Sequence, residues 1–136
     1  MRKYLLLVCV LGLTLQSFAQ DKKTEQKNGA VISWEKKTHD FGNIVQGDKA
    51  EHTFYFTNTG NEPLIISNVQ VSCTCTTLKW PRDPIPPRGN GEINVSFNSA
   101  GKLGIQNKPV MLVNNAVNPE DNTIAFTMNV LDKKTQ

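Results

Sequence analysis

Residues 49–61, KAEHTFYFTNTGN, alternate at every position: His52, Phe54 and Phe56 fall on one parity, Thr53, Tyr55 and Thr57 on the other. Side chains of an extended strand point to opposite faces in turn, whereas a helix needs apolar residues three and four apart. This stretch is therefore a strand with one oily face, and NTGN closes it in a turn. One strand cannot bury its own face, so the rest of the chain has to supply a facing layer. It does: in GEINVSFNSAG (91–101) Ile93, Val95 and Phe97 alternate with Asn94, Ser96 and Asn98. NKPVMLVNNA (107–116) and NTIAFTMNVLD (122–132) read as two more strands across VNPED, and VISW (31–34) as a first one.

The remaining segments are placed by their punctuation. HDFGNIVQGD (39–48) is expected to turn at Gly42 and at Gly47. EPLIISNVQVS (62–72) begins with Pro63 at a strand start, where its missing donor is tolerated, and Ile65, Val69 and Val71 share a parity with Cys73 and Cys75. WPRDPIPPRGNG (80–91) holds four prolines and two glycines. A central strand cannot contain that, so it reads as a stiff connection, expected to carry the chain from one sheet to the other. No window keeps a helical period. About seven short strands within roughly 100 residues give an all-β class, an antiparallel immunoglobulin-like β-sandwich, with a closed barrel as the rival.

The first twenty residues, MRKYLLLVCVLGLTLQSFAQ, obey different rules. Arg2 and Lys3 precede an apolar run from Tyr4 to Leu15, and Ser17-Phe18-Ala19 fits small-x-small cleavage. A membrane span needs roughly 20 apolar residues, and Thr14, Gln16 and Ser17 interrupt this run early. The reading is a signal peptide over 1–19, a polar leader over 20–29, a sandwich domain over 30–132 and a short tail over 133–136, with no transmembrane anchor after cleavage. The expected location is periplasmic or secreted. Removing Arg2 and Lys3 leaves 13 Lys and Arg against 12 Asp and Glu. That near-neutral balance, without a basic block among aromatics, excludes a nucleic-acid footprint.

Cys9 leaves with the signal segment, so the exported chain keeps only Cys73 and Cys75, in SCTCT. Exported thiols tend to oxidise. In a flat strand residues two apart stand about 6.6 Å from each other, near the upper limit for a disulfide, so a Cys73–Cys75 bond calls for a turn at Thr74. Three readings stay open: two thiols continuing the core stripe, a local disulfide, or a soft-metal or redox pair. Zinc favours wider spacing and four ligands, and no C-x-x-C is present. His39, His52, Met111 and Met128 are the further soft or imidazole ligands, and no spacing sets them beside Cys73.

His52, in line with Phe54 and Phe56, reads as a half-buried strand residue, and Asp40 before Phe41-Gly42 as turn chemistry. Asn94-Val95-Ser96 matches a glycosylation acceptor inside a strand. Trp34 and Trp80 read as core or edge anchors. The proline-rich connection offers Trp80, Arg82, Asp83 and Arg88 as an interaction loop, with Glu92 beyond it as a solvated surface charge. No nucleophile elbow, metalloprotease helix or phosphate loop occurs.

These residues together resemble a known family. HDFGNIVQGDKAEHTFYFTNTGNEPLIISNVQVSCTCT, followed by a Trp and DPIPPRGNGEINVSFNSAGKLGIQNKPVMLVNN, is similar to the secreted bacterial proteins grouped as domain of unknown function 1573. The resemblance runs from Thr38 to about Val130. Phe41 and Gly42, then Asn58, Gly60, Pro63 and Leu64, then Ser72, Cys73 and Cys75 occupy its motif positions. It implies a seven-stranded immunoglobulin-like sandwich of the Hydin and major-sperm-protein kind, and no established activity. Two departures stand out: Thr74 replaces the usual Gly between the cysteines, and FTMNV lacks a Gly near its end.

The expected function is that of a non-catalytic exported module that binds or scaffolds an unidentified envelope protein, with no cofactor and no catalytic residue. The alternative is a copper-handling or thiol-redox protein using Cys73 and Cys75, which are then the candidate metal ligands.

Overall fold

Two four-stranded sheets face each other in the computed structural model, which describes residues 28–135. The signal-like segment and most of the polar leader lie outside the described residues. The strands are β1 (Ile32–Trp34), β2 (Thr38–Val45), β3 (Lys49–Asn58), β4 (Ile66–Val71), β5 (Thr76–Lys79), β6 (Asn90–Asn98), β7 (Gly104–Asn114) and β8 (Thr123–Leu131). Their order is β1-β3-β6-β5 in one sheet and β2-β8-β7-β4 in the other. Short 3-10 turns at Pro119–Asp121 and Lys133–Thr135 are the helical elements among the described residues.

The interior follows the alternation in the sequence. Phe54 and Phe56 from β3, Ile93, Val95 and Phe97 from β6, and Ile124, Phe126, Met128 and Val130 from β8 are all buried. Phe97 and Phe126 meet edge to face across the two sheets, ring centres 5.8 Å apart. Each such side chain removes enough apolar area from water to contribute roughly 1.5–3 kcal/mol. This layer therefore holds the sheets together.

Several local expectations change. There are eight strands, and β2 runs parallel to β8 while the other pairs are antiparallel. Gly42 does not turn the chain; it forms a bulge inside β2 at φ 69°, its N–H bonded to Asp40 Oδ1 at 2.8 Å. Gly47 does turn. A register shift between Ile66 and Asn68 inverts the face of β4, so Leu64 and Ile66 go inward and Ile65 outward, before Val69 returns to the core. One extra residue is enough to exchange faces at period two.

The proline-rich stretch is a further correction. It joins β5 to β6, antiparallel neighbours in one sheet, rather than crossing between sheets. Its Ile85 is buried and pairs with Leu64, which closes the end of the sandwich. Asn58 anchors it. This fully buried amide donates through Nδ2 to the Glu62 and Ile85 carbonyls at 2.8 and 3.0 Å. Its Oδ1 accepts from Gly60 and Val31 N–H at 3.0 and 3.3 Å. Every hydrogen-bonding site of the side chain is used, as burial of an amide demands.

Two positions here carry backbone constraint. A Cβ on Gly60 would run into the Gly29 carbonyl oxygen and the Val31 nitrogen. Arg88 has φ 68° at the third position of the Pro86–Gly89 turn, closed by Gly89 N–H to Pro86 O at 2.8 Å. A left-handed conformation costs an L-residue about 1–2 kcal/mol, and glycine's extra freedom when unfolded returns about 0.5–1 of that. Arg88→Gly is thus expected to gain about 0.5–1 kcal/mol in denaturant unfolding, whereas Gly60→Ala loses about 1–3 kcal/mol through overpacking. A neutral Gly60→Ala would mean that the closed end has room its backbone contacts deny.

Candidate functional site

Cys73 and Cys75 sit where the chain leaves β4 in one sheet and enters β5 in the other. A turn at Thr74-Cys75 brings their Cα atoms to 5.2 Å, and the sulphurs are bonded to each other. Thr74 makes this turn without a positive φ, which is why Gly is dispensable there. Cys75 N–H points to Cys73 Sγ at 3.1 Å, and Thr76 N–H to the Cys73 carbonyl at 3.3 Å. A loop this short constrains the unfolded chain by only about 1.5 kcal/mol, so the bond shapes the corner more than it staples the fold. Both cysteines are half-buried, and Cys75 packs against the core together with Val71, Leu78 and Trp80.

The imidazoles are far from idle. His39 from β2 and His52 from β3 stack face to face across the two sheets, ring centres 3.6 Å apart and 8° from parallel. Phe41 and Phe54 meet them edge-on at 4.5 and 4.7 Å. Met128 is in the core and Met111 is exposed on the outer face of β7. Of the four soft or imidazole side chains only the two histidines thus meet, and among the described residues no group of three or more His, Cys, Asp or Glu could hold a metal.

Within the proline-rich loop, the Arg82 guanidinium lies over the Trp80 ring at 3.9 Å. Arg82, Asp83 and Arg88 are exposed. Trp80 is half-buried, its Nε1 enclosed without a hydrogen-bond partner, and the same holds for Thr76 Oγ1 on β5. Trp34 anchors the opposite edge, donating through Nε1 to the Asp121 carbonyl at 2.7 Å.

One surface depression escapes sequence reasoning. It is a groove of about 570 Å³ over the outer face of the β3-β6-β5 sheet, floored by Thr53, Asn94, Ser96 and Thr77 and flanked by Glu51, Tyr55 and Lys79. Short polar side chains on the middle strands and long ones at the margins leave a trough. The signal is present in the polar parity of 49–57 and 92–98, but alternation says which face is wet, not how deep it is. Asn94 of the glycosylation-type triplet lies in this floor, its Oδ1 accepting from Thr53 Oγ1 at 2.6 Å.

A family model described as a protein of unknown function, DUF1573, matches residues 32–130. No curated protein matches the chain. Among solved structures, a protein of unknown function from Porphyromonas gingivalis W83 superposes with a TM-score of 0.59 at 16% identity, over 82% of this chain and 50% of that one. The present chain thus spans half the length of that protein. The ASH/PapD-like domain 7 of human CEP192 follows at 0.55 and 12%, over 82% and 91%. The Vibrio cholerae VesB protease matches at 0.58 and 13%, over 72% of this chain but 31% of its own. At such identities the likeness concerns the fold, an immunoglobulin-like sandwich.

His52 gives this region a pH dependence. Burial, then the facing His39 imidazole, then Lys36, all disfavour its protonation and lower its pKa from the usual 6.5. A lowered imidazole pKa means the unfolded chain takes up the proton first. The stack's contribution is therefore complete above pH 6.5 and is lost as pH falls through 6.5 towards the folded value. Urea midpoints should fall over that interval, and His52→Gln should flatten the fall. An unchanged slope in the variant would show that His52 is not the group responsible.

Proposed function

Since the chain belongs to the DUF1573 family of proteins of unknown function, we propose that it is an exported, non-catalytic immunoglobulin-like module that binds another protein in the cell envelope. Export rests on the charged, apolar and small-residue order of residues 1–19. The non-catalytic part rests chiefly on one observation: the two histidines spend their rings on each other across the sheets at 3.6 Å. His52 also borders the polar groove, but its ring is committed to the stack with His39 rather than aimed at a substrate. The two cysteines likewise form the corner between sheets. What the surface offers is a shallow polar groove and sheet edges, the features through which sandwich domains engage extended partners.

The test uses the whole chain with its own N-terminus, expressed in a double-membraned bacterium, followed by fractionation, intact mass and cross-linking. Recovery in the periplasm or medium with Gln20 as first residue, cross-linked to a defined envelope protein, is the expected result. Retention in the cytosol with residues 1–19 still attached, or an exported domain that cross-links to nothing, would overturn the proposal.

A further inference from the structure

An open sandwich has four strand edges, and on three of them side chains cap one or two main-chain groups. On β1 the outward Ile32 N–H donates to Asn118 Oδ1 at 3.1 Å, and Asn118 Nδ2 donates to the Ile32 carbonyl at 2.8 Å. One buried amide thus stands in for a neighbouring strand. On β2 the Gly42 bulge breaks the line, and Asp40 and Asp48 carboxylates take the Gly42 and Val45 N–H groups at 2.8 and 3.2 Å. On β4 a register shift and Asn68 Oδ1, which takes the Val69 N–H at 2.9 Å, do the same. Bulges and local caps are how sheets avoid unwanted pairing.

The edge of β5 has no such cap. Asn98 N–H bonds the Cys75 carbonyl at 2.9 Å, which sets the pairing phase with β6: Thr77 and Lys79 exchange bonds with β6, and the main-chain groups of Thr76 and Leu78 face outward. The Thr76 N–H turns back to Cys73, but among the described residues no side chain caps the Thr76 carbonyl or the Leu78 N–H and carbonyl. Beside this edge Val71, Cys75, Leu78 and Trp80 are only partly covered, and Thr76 Oγ1 and Trp80 Nε1 are enclosed unpaired. Each such unpaired group costs about 1–3 kcal/mol, so this is the least satisfied margin of the fold.

We infer that β5 is a docking strand, whose open edge takes up an extended segment of another protein, with an apolar residue over Leu78 and an acidic one beside Lys79. This rests on the binding-module reading and names the site. The groove supplies the charge argument. Its rows run Thr77–Ser96–Glu51 and Lys79–Asn94–Thr53 across β5, β6 and β3, so an added strand extends the second row directly from Lys79. Glu51 is turned to Ser96 Oγ at 3.3 Å, in the other row. A lysine at an edge repels random pairing and favours a carboxylate, which makes the addition selective.

The probe is an acetylated peptide of about ten residues alternating Val and Glu, with its Val and Lys counterpart, titrated into the domain and followed by amide NMR shifts. Saturable shifts centred on Thr77, Leu78 and Lys79 are expected for the Glu peptide. The exposed Lys79→Glu, which leaves the core intact, should weaken it about tenfold and prefer the Lys peptide, because an attraction becomes a repulsion. Shifts centred on β1, β2 or β4, no saturation, equal behaviour of Lys79→Glu and wild type, or dimerisation through β5 would each overturn the assignment. An envelope partner held equally by wild type and Lys79→Glu would overturn β5 alone. Peptide docking at β5 without any envelope partner would count against the envelope role alone.

Discussion

Main-chain hydrogen bonding at the sheet edges governs this molecule. Eight short strands share one apolar interior, and that interior is generous: three phenylalanines are fully enclosed, one pair meeting across the sheets. What the interior cannot supply is a partner for the outward N–H and C=O groups of four edge strands. An unpaired main-chain group away from water costs as much as a hydrogen bond gains, so each edge needs its own remedy. Asn118 answers for β1, a bulge with two aspartates for β2, and a bulge with Asn68 for β4.

The remaining polar hardware serves the same end. Asn58 ties the close of β3 to the first strand and to the proline-rich loop, and Arg88 accepts a left-handed backbone so that its N–H reaches the Asn58 carbonyl at 2.7 Å. Lys37 bridges to Asp121 at 2.8 Å and holds the 3-10 turn over β1. The histidine stack closes the seam between β2 and β3. Chemistry-bearing residues are thus invested in closure, and the polar groove and the β5 margin are what remain for contact with other molecules.

The class of fold is legible in the sequence because alternation is a direct image of pleating: Ile93, Val95 and Phe97, or Ile124, Phe126 and Met128, can face only one way. Where an extra residue enters, parity misleads, and it points Ile65 into the core that Leu64 and Ile66 occupy. Prolines mark a connection but not its destination, since Pro81 to Pro87 constrain φ locally and say nothing of which strands they join. The turn that a bond between Cys73 and Cys75 requires is legible from spacing. The stacking of His39 on His52 is not, because it depends on which strands face each other. Nor is the parallel pairing of β2 with β8, which sets Thr38 beside Ala125, residues far apart in the chain.

Amide hydrogen exchange on the free domain addresses the central claim without any partner. Ile32 and Val69 N–H, capped by Asn118 and Asn68, should exchange slowly, and Leu78 N–H, outward and uncapped on β5, should exchange much faster under the same conditions. Protection of Leu78 equal to that of Ile32 would mean that the fourth edge is closed as well, and would contradict the division into three capped edges and one open one.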